Sequence, residues 1–210
     1  MNILILDNCK FTQLGMNQCL SELGIPDENV SFFSCIKQLN DDFMEILPDI
    51  VFLSEDYFYT EYGHNQHLKE LISKYPNTLF CIFISISNTN YDDFLYIRHN
   101  VIITSKAIKV DTFEKLLKNK SYGNNRKLAS KVIRPLTLSK TESDMLKMWM
   151  DGINTRIMCD RMQIKPKTIS SHKGNIKRKI KTHNKQVIYH VVKLTEDLTS
   201  GIYVNMGQSS

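Results

Sequence analysis

In the first half of the chain, apolar residues come in short unbroken runs, separated by stretches whose apolar positions recur every three or four residues. Ile3-Leu4-Ile5-Leu6 runs into Asp7-Asn8. Val30 to Cys35, Ile50-Val51-Phe52-Leu53, Leu79 to Ile86 and Val101-Ile102-Ile103 repeat the pattern. A short apolar run bounded by turn formers reads as a strand buried on both faces. Residues 12–23, 36–47, 66–75, 92–98 and 111–118 read as helices, the first stopped by Gly24-Ile25-Pro26 and the second by Pro48. Five strands alternating with five helices predict a doubly wound, parallel, five-stranded sheet with helices on both faces. Any site in such a sheet lies beyond the carboxyl ends of the strands. Those ends are Asp7-Asn8, Ser54-Glu55-Asp56, Ser85 to Asn88, and Lys106.

The pattern changes after residue 120. Residues 121–134 (SYGNNRKLASKVIR) are polar, carry Gly and Asn, and read as a linker. Beyond them every signal is helical. Ser139-Lys140-Thr141-Glu142 has capping-box spacing, followed by a face of Leu146, Trp149, Met150 and Ile153. Gly152 suits a tight turn, and Asn154 suits the cap of a second helix through Met162. Pro166 suits the first position of a third helix, to about Lys181. Asn184 opens a fourth, with a stripe of Val187, Ile188, Val191 and Val192. The expected fold is therefore α/β plus all-α: an α/β domain over 1–120, a linker over 121–134, and a four-helix domain over 135–200. The final GQSS reads as a frayed end.

Charge separates the two halves further. Residues 1–125 hold ten Lys and Arg against sixteen Asp and Glu, a net of −6, whereas residues 126–210 hold seventeen against six, a net of +11. A basic half beside an acidic one points to two domains with different partners, the basic one meeting nucleic acid. Composition is otherwise that of a soluble globular protein, with 42% hydrophobic and 23% charged residues. No apolar stretch has the roughly eighteen residues of a membrane span, and MNILILDN lacks the marks of a signal peptide. Five cysteines, an odd number with no C-x-x-C pair, suit reduced thiols in a cytoplasm. No metal-ligand cluster, Gly-rich phosphate loop or nucleophile–base pair stands out, so no enzyme chemistry, metal or cofactor is expected.

The segment KPKTISSHKGNIKRKIK, Lys165 to Lys181, concentrates the positive charge and contains no acid. Ile169, Ile176 and Ile180 fall at helical spacing and form its buried side. The other side is basic with small hydroxyl residues, a helix suited to a major groove about 12 Å wide. Lysines there neutralise phosphates and release counterions, and Ser170 and Ser171 are short enough to approach base edges. Lys165 is a poor N-cap and opposes the helix dipole. Gly174 costs roughly 1 kcal/mol relative to Ala inside a helix. Both read as positions kept for binding: Lys165 for a phosphate, Gly174 for close backbone approach. A packed histidine is the ordinary reading of His172, and Asn175 suits either a local bond or the DNA backbone.

Leu138-Ser139-Lys140-Thr141-Glu142, Gly152, Ile157, Met162, Ile164, Lys167-Thr168-Ile169, His172, Asn175, Ile176 and Lys179-Ile180 together resemble the LuxR/GerE-type helix-turn-helix domain, without a gap. The resemblance implies that the third helix is the recognition helix. It places Ser170, Ser171 and Gly174 at base-reading positions and Lys167, Thr168 and Lys177 at phosphate contacts. With Lys165, His172, Lys173 and Asn175 they complete the candidate DNA-binding set. It also implies that the fourth helix, through Val187, Ile188, Val191 and Val192, dimerises. The family usually has Ser where Lys165 stands. The first half resembles a response-regulator receiver. Asp7 keeps one of the acidic pair while Asn8 replaces the other, Ser85 falls at the hydroxyl position and Lys106 at the lysine. Ser54 stands where the phosphoacceptor aspartate belongs. An acyl phosphate needs a carboxylate nucleophile and Mg²⁺ on oxygen ligands, so a degenerate, phosphorylation-independent receiver is implied. Glu55 alternates to the other face of its strand and Asp56 lies past the strand end.

Taken whole, the chain resembles the auxiliary regulators of capsular exopolysaccharide (colanic acid) synthesis in the Rcs system. That implies a cytoplasmic activator acting on double-stranded promoter DNA as a heterodimer with the response regulator RcsB. A self-sufficient homodimer and a phosphorylation-switched regulator are the alternatives.

Overall fold

The computed structural model describes residues 1–36, 43, 45–59, 64–85, 91, 93–123 and 136–198. The chain divides into two compact units, Met1–Arg134 and Pro135–Ser210.

The first unit is built on a six-stranded sheet, with strands β1 (Ile3–Leu6), β2 (Val30–Phe33), β3 (Ile50–Ser54), β4 (Leu79–Ile84), β5 (Leu95–Arg98) and β6 (Val101–Ser105). The order across the sheet is β2-β1-β3-β4-β6-β5. All neighbours pair in parallel except the edge pair β5–β6. Every residue of β1, β3, β4 and β6 is buried, as unbroken apolar runs require. Helices α1 (Lys10–Glu22), α2 (Asp56–Tyr59), α3 (His64–Lys74) and α4 (Val110–Gly123) accompany the strands. One face of the sheet sends Ile3, Ile5, Ile50, Phe52, Cys81, Phe83 and Ile102 against Leu20 of α1 and Phe113, Leu116 and Leu117 of α4. Phe52 meets Phe113 with ring centroids 5.3 Å apart. Each fully buried side chain of this size contributes about 1.5–3 kcal/mol.

The sheet departs from expectation at one edge. The short helix expected at 92–98 is instead β5, whose buried Leu95 and Ile97 alternate with half-exposed Tyr96 and Arg98. The period is two, not 3.6, and aromatic and β-branched residues suit an antiparallel edge strand. The sheet therefore has six strands rather than five. Most of the helix expected at 36–47 falls outside the described residues. Helix α4 runs to Gly123, three residues into the segment read as linker; 124–135 lie outside the described residues.

The second unit is helical: α5 (Lys140–Met150), α6 (Thr155–Met162), α7 (Pro166–Ile180) and α8 (Lys185–Leu198). Ser139 Oγ accepts the Glu142 amide at 3.2 Å while Glu142 Oε2 accepts the Ser139 amide at 2.9 Å, closing the capping box. Asn154 Oδ1 caps α6 through the Ile157 amide at 3.0 Å. Gly152 turns the chain after α5 at φ 76°, a left-handed conformation that glycine adopts without strain. The tight link from α6 to α7 passes through Gln163, also left-handed at φ 54°. Met145, Met158 and Ile169 join α5, α6 and α7 in one cluster.

Candidate nucleic-acid interface

Helix α7 starts at Pro166, whose missing N–H leaves no unsatisfied donor at the first helical position. Ile169, Ile176 and Ile180 are fully buried and fix which side faces inward. At about 100° per residue, Lys167, Ser171, Gly174 and Arg178 form the opposite stripe, flanked by Thr168, Ser170 and Asn175. Lys165, Lys167, Thr168, Ser170, Ser171 and Arg178 are exposed. The stripe is cationic, hydroxylic and free of acids. Ser170 Oγ donates to the Pro166 carbonyl at 3.2 Å and Ser171 Oγ to the Lys167 carbonyl at 3.1 Å. Each hydroxyl thus spends its proton on its own helix and keeps oxygen lone pairs facing outward. A methyl group added at Gly174 would meet nothing within 4 Å, so packing within the chain does not require glycine there.

The structure sorts the expected contact residues. Lys167, Thr168, Ser170, Ser171, Gly174 and Asn175 share the outward side, with Lys165 at the N-cap, where its side chain caps nothing. Lys173 and Lys177 lie on a flank, half-buried, with their ammonium groups over the Trp149 ring. His172 is half-buried, with an Nδ1 that is shielded from solvent and has no hydrogen-bond partner. Its ring therefore fits the packed reading of His172 better than an outward one. Arg178, absent from the expected contact set, stands at the centre of the outward stripe, where its guanidinium donates to Asn175 Oδ1. The 167/171/174/178 spacing already carried that signal.

Lys179 faces away from the stripe. Its Nζ reaches buried Glu142 Oε2 at 2.6 Å, locking α7 to the capping box of α5. The stripe of α8 expected to dimerise faces inward. Val187, Ile188, Val191 and Val192 are buried within the unit, together with Leu194 and Leu198. Their side chains supply its own core, and the surface that α8 leaves open carries Lys185, Gln186 and Tyr189, the last 46% exposed.

At the carboxyl ends of the strands, Asp7 and Lys106 form one pair and Ser54 and Ser85 another, each already engaged with a partner or near neighbour. Lys106 Nζ pairs with Asp7 Oδ2 at 2.7 Å, and Asp7 Oδ1 accepts the Cys9 amide at 2.8 Å. Ser54 and Ser85 donate to the same oxygen, Asp56 Oδ2, at 2.9 and 3.0 Å, and their hydroxyls are 3.1 Å apart. Glu55, expected on the other face, is buried, and its Oε1 accepts the Ser85 amide at 2.5 Å. The strand ends at Ser54, so its alternation stops there. The donor set does not fit Mg²⁺: Asp7 is tied to Lys106, Asn8 replaces the second acid and Ser54 offers no carboxylate. Among the described residues no group of three or more His, Cys, Asp and Glu could hold a metal ion. No helix among them is long and apolar enough to cross a membrane.

Comparison with known proteins gives two family matches. Residues 2–131 match the family described as transcriptional regulator RcsA, N-terminal dimerisation domain. Residues 136–192 match bacterial regulatory proteins of the luxR family. The transcriptional regulatory protein RcsA of Pantoea stewartii subsp. stewartii is 49% identical, covering 98% of this chain and 100% of its own. RcsA of Erwinia amylovora is 48% identical over 98% and 99%, and that of Escherichia coli O157:H7 42% over 98% and 100%. Among solved structures, the response regulator RcsB in complex with DNA superposes with a TM-score of 0.51 at 16% identity, covering 95% of this chain and 99% of that one. RcsB of Salmonella enterica serovar Typhimurium, bound to promoter rprA with a phosphomimetic, gives 0.51 at 17% over 95% and 100%. At that identity the likeness is one of fold.

Proposed function

The chain belongs to the RcsA family of transcriptional regulators, which are not enzymes, and from that premise we propose how it acts. It activates capsular exopolysaccharide genes of the colanic acid type, in the cytoplasm, as a heterodimer with RcsB and without phosphorylation of its own. Residues 1–123, to the end of α4, form a pseudo-receiver, and the linker is then 124–134. Residues 135–200 form the helix-turn-helix domain that enters the major groove of promoter DNA.

One observation carries the reading: the exposed stripe of α7 is cationic and hydroxylic and holds no acid. Ser170, Ser171 and Gly174 meet base edges. Lys165, Lys167, Thr168 and Arg178 meet phosphates, with Lys177 and Lys173 on the flank and Asn175 at the border. Phosphate contacts set register and affinity, while base contacts set specificity. The closed network around Asp56 supports a receiver that takes no phosphoryl group. The partner-holding surface is supported by α1 and the start of α4, where Phe11 is 86%, Leu14 68% and Val110 52% exposed. Phe11 and Val110 line a largely apolar groove of about 450 Å³. Tyr189 on α8 extends the contact within the DNA-binding domain, and paired half-sites then lie about one helical turn apart.

Fluorescence anisotropy on a labelled capsule-promoter fragment near physiological salt tests this, with the chain alone, RcsB alone and both, against scrambled DNA. The expected result is sequence-specific binding by the pair that exceeds binding by either protein. Equal binding with and without RcsB would overturn the heterodimer, and tight specific binding by the chain alone would establish a homodimer instead.

A further inference from the structure

The chain's one tryptophan, Trp149, stands on the last turn of α5, half-buried against the Met145–Met158–Ile169 cluster. Two cations lie over its ring: Lys173 Nζ 5.2 Å and Lys177 Nζ 5.8 Å from the centroid. Both are within the ~6 Å over which an ammonium group is attracted to an aromatic face, and indole attracts most strongly. The two lysines are one turn apart on α7, where like charges repel. Lys185, at the start of α8, adds a third positive charge. Burial, with Lys185 and Lys177 after it, pushes the Lys173 ammonium below its ordinary value. Two cations fixed on one ring, one turn apart on the same helix, form a site in need of anionic charge.

Neither Lys173 nor Lys177 belongs to the outward stripe. By helical rotation they fall between Ser170 and the buried isoleucines. With α7 lying in a groove, that flank meets the wall, which is sugar and phosphate, and not the base edges on the floor. We infer that Trp149 is a positioning residue for DNA binding, holding Lys173 and Lys177 as a pair against backbone phosphates beside the recognition helix. The inference rests on α7 being the helix that contacts DNA. Trp149 then raises affinity and salt dependence for every sequence alike and contributes nothing to discrimination.

The test uses the full chain and a labelled random-sequence duplex, titrated by anisotropy across a range of salt. Four proteins are compared: wild type, Trp149→Leu, Lys173→Gln with Lys177→Gln, and the triple variant. Trp149→Leu is expected to weaken binding roughly three- to tenfold, the loss of two cation–π contacts. It should also flatten the salt dependence by about one released ion. In the Lys173→Gln/Lys177→Gln background the same change is expected to do nothing further. Circular dichroism reports the fold. If Trp149→Leu loses helix, Trp149→Phe, which keeps a ring on the same cluster with a weaker attraction, carries the comparison and should show an intermediate loss. Unchanged affinity and salt slope in the Trp149 variant would overturn the inference. So would a further loss in the double-lysine background, because Trp149 would then act through packing alone. Failure of the wild-type chain to bind any duplex, alone and with RcsB, would be seen first, and would overturn the reading of α7 itself.

Discussion

Lys165 has the extended backbone of an N-cap, φ −74° and ψ 153°, but its side chain accepts nothing, and the first turn of α7 has no acid. A Ser there would satisfy an orphan amide and remove a charge that opposes the helix dipole, together worth about 1 kcal/mol. Lys165→Ser is therefore expected to raise stability by that amount, read by urea unfolding, while weakening DNA binding by severalfold. Unchanged binding would remove Lys165 from the interface. Gly174 makes the matching case within the helix. Its backbone is helical and a methyl group there meets open space, so Gly174→Ala should gain about 1 kcal/mol. If the backbone approaches DNA at this point, the same methyl costs affinity for the promoter. Equal affinity in a stabilised Gly174→Ala variant would place the groove elsewhere on α7. At both positions the chain forgoes stability that a common residue would supply.

Among the elements, the coupling of α5 to α7 depends on Glu142. Burial raises its carboxyl, but hydrogen bonds from Lys179 and from the Ser139 amide outweigh that and hold it below its ordinary 4.5. A carboxyl depressed on folding contributes stability that is complete above its unfolded value and fades as pH falls through the lower folded value. Glu142→Gln should thus cost about 1–2 kcal/mol at neutral pH. The gap from wild type should narrow once pH drops below about 4.5. A gap independent of pH would mean that cap geometry, not charge, joins the two helices. Ends of this kind were legible in the sequence: Ser139, Asn154 and Pro166 each mark a helix start through a stated bond or a missing donor. Leu95 to Arg98 was not. Four residues are too short for periodicity to separate a helix turn from an edge strand, and pairing to β6 decided the outcome. The place of Lys173 and Lys177 over a ring was also hidden. Sequence spacing gives the side of a helix, but the ring of Trp149 comes from another helix. The valines of α8 form a genuine stripe, and only the folded unit shows that this unit consumes it.

For the whole molecule, the acidic first unit and the basic second unit imply separable work. Phe11 and Leu14 lie on α1 of the first unit, largely exposed, while every DNA-contacting residue proposed here lies in the second. Exposed apolar side chains on this scale mark a surface that another protein covers. Replacing an exposed residue usually changes stability by no more than about 0.5 kcal/mol. Phe11→Asp with Leu14→Asp should therefore leave the fold intact, and with it the chain's own salt-dependent binding to random DNA. What the change should abolish is the gain in promoter affinity that RcsB supplies. A variant that keeps the full gain would show that the partner is held elsewhere, with the open face of α8 around Tyr189 the next surface to alter. A variant that loses DNA binding by itself would show that the two units do not act independently, because neither altered residue is cationic and every proposed DNA contact lies in the second unit.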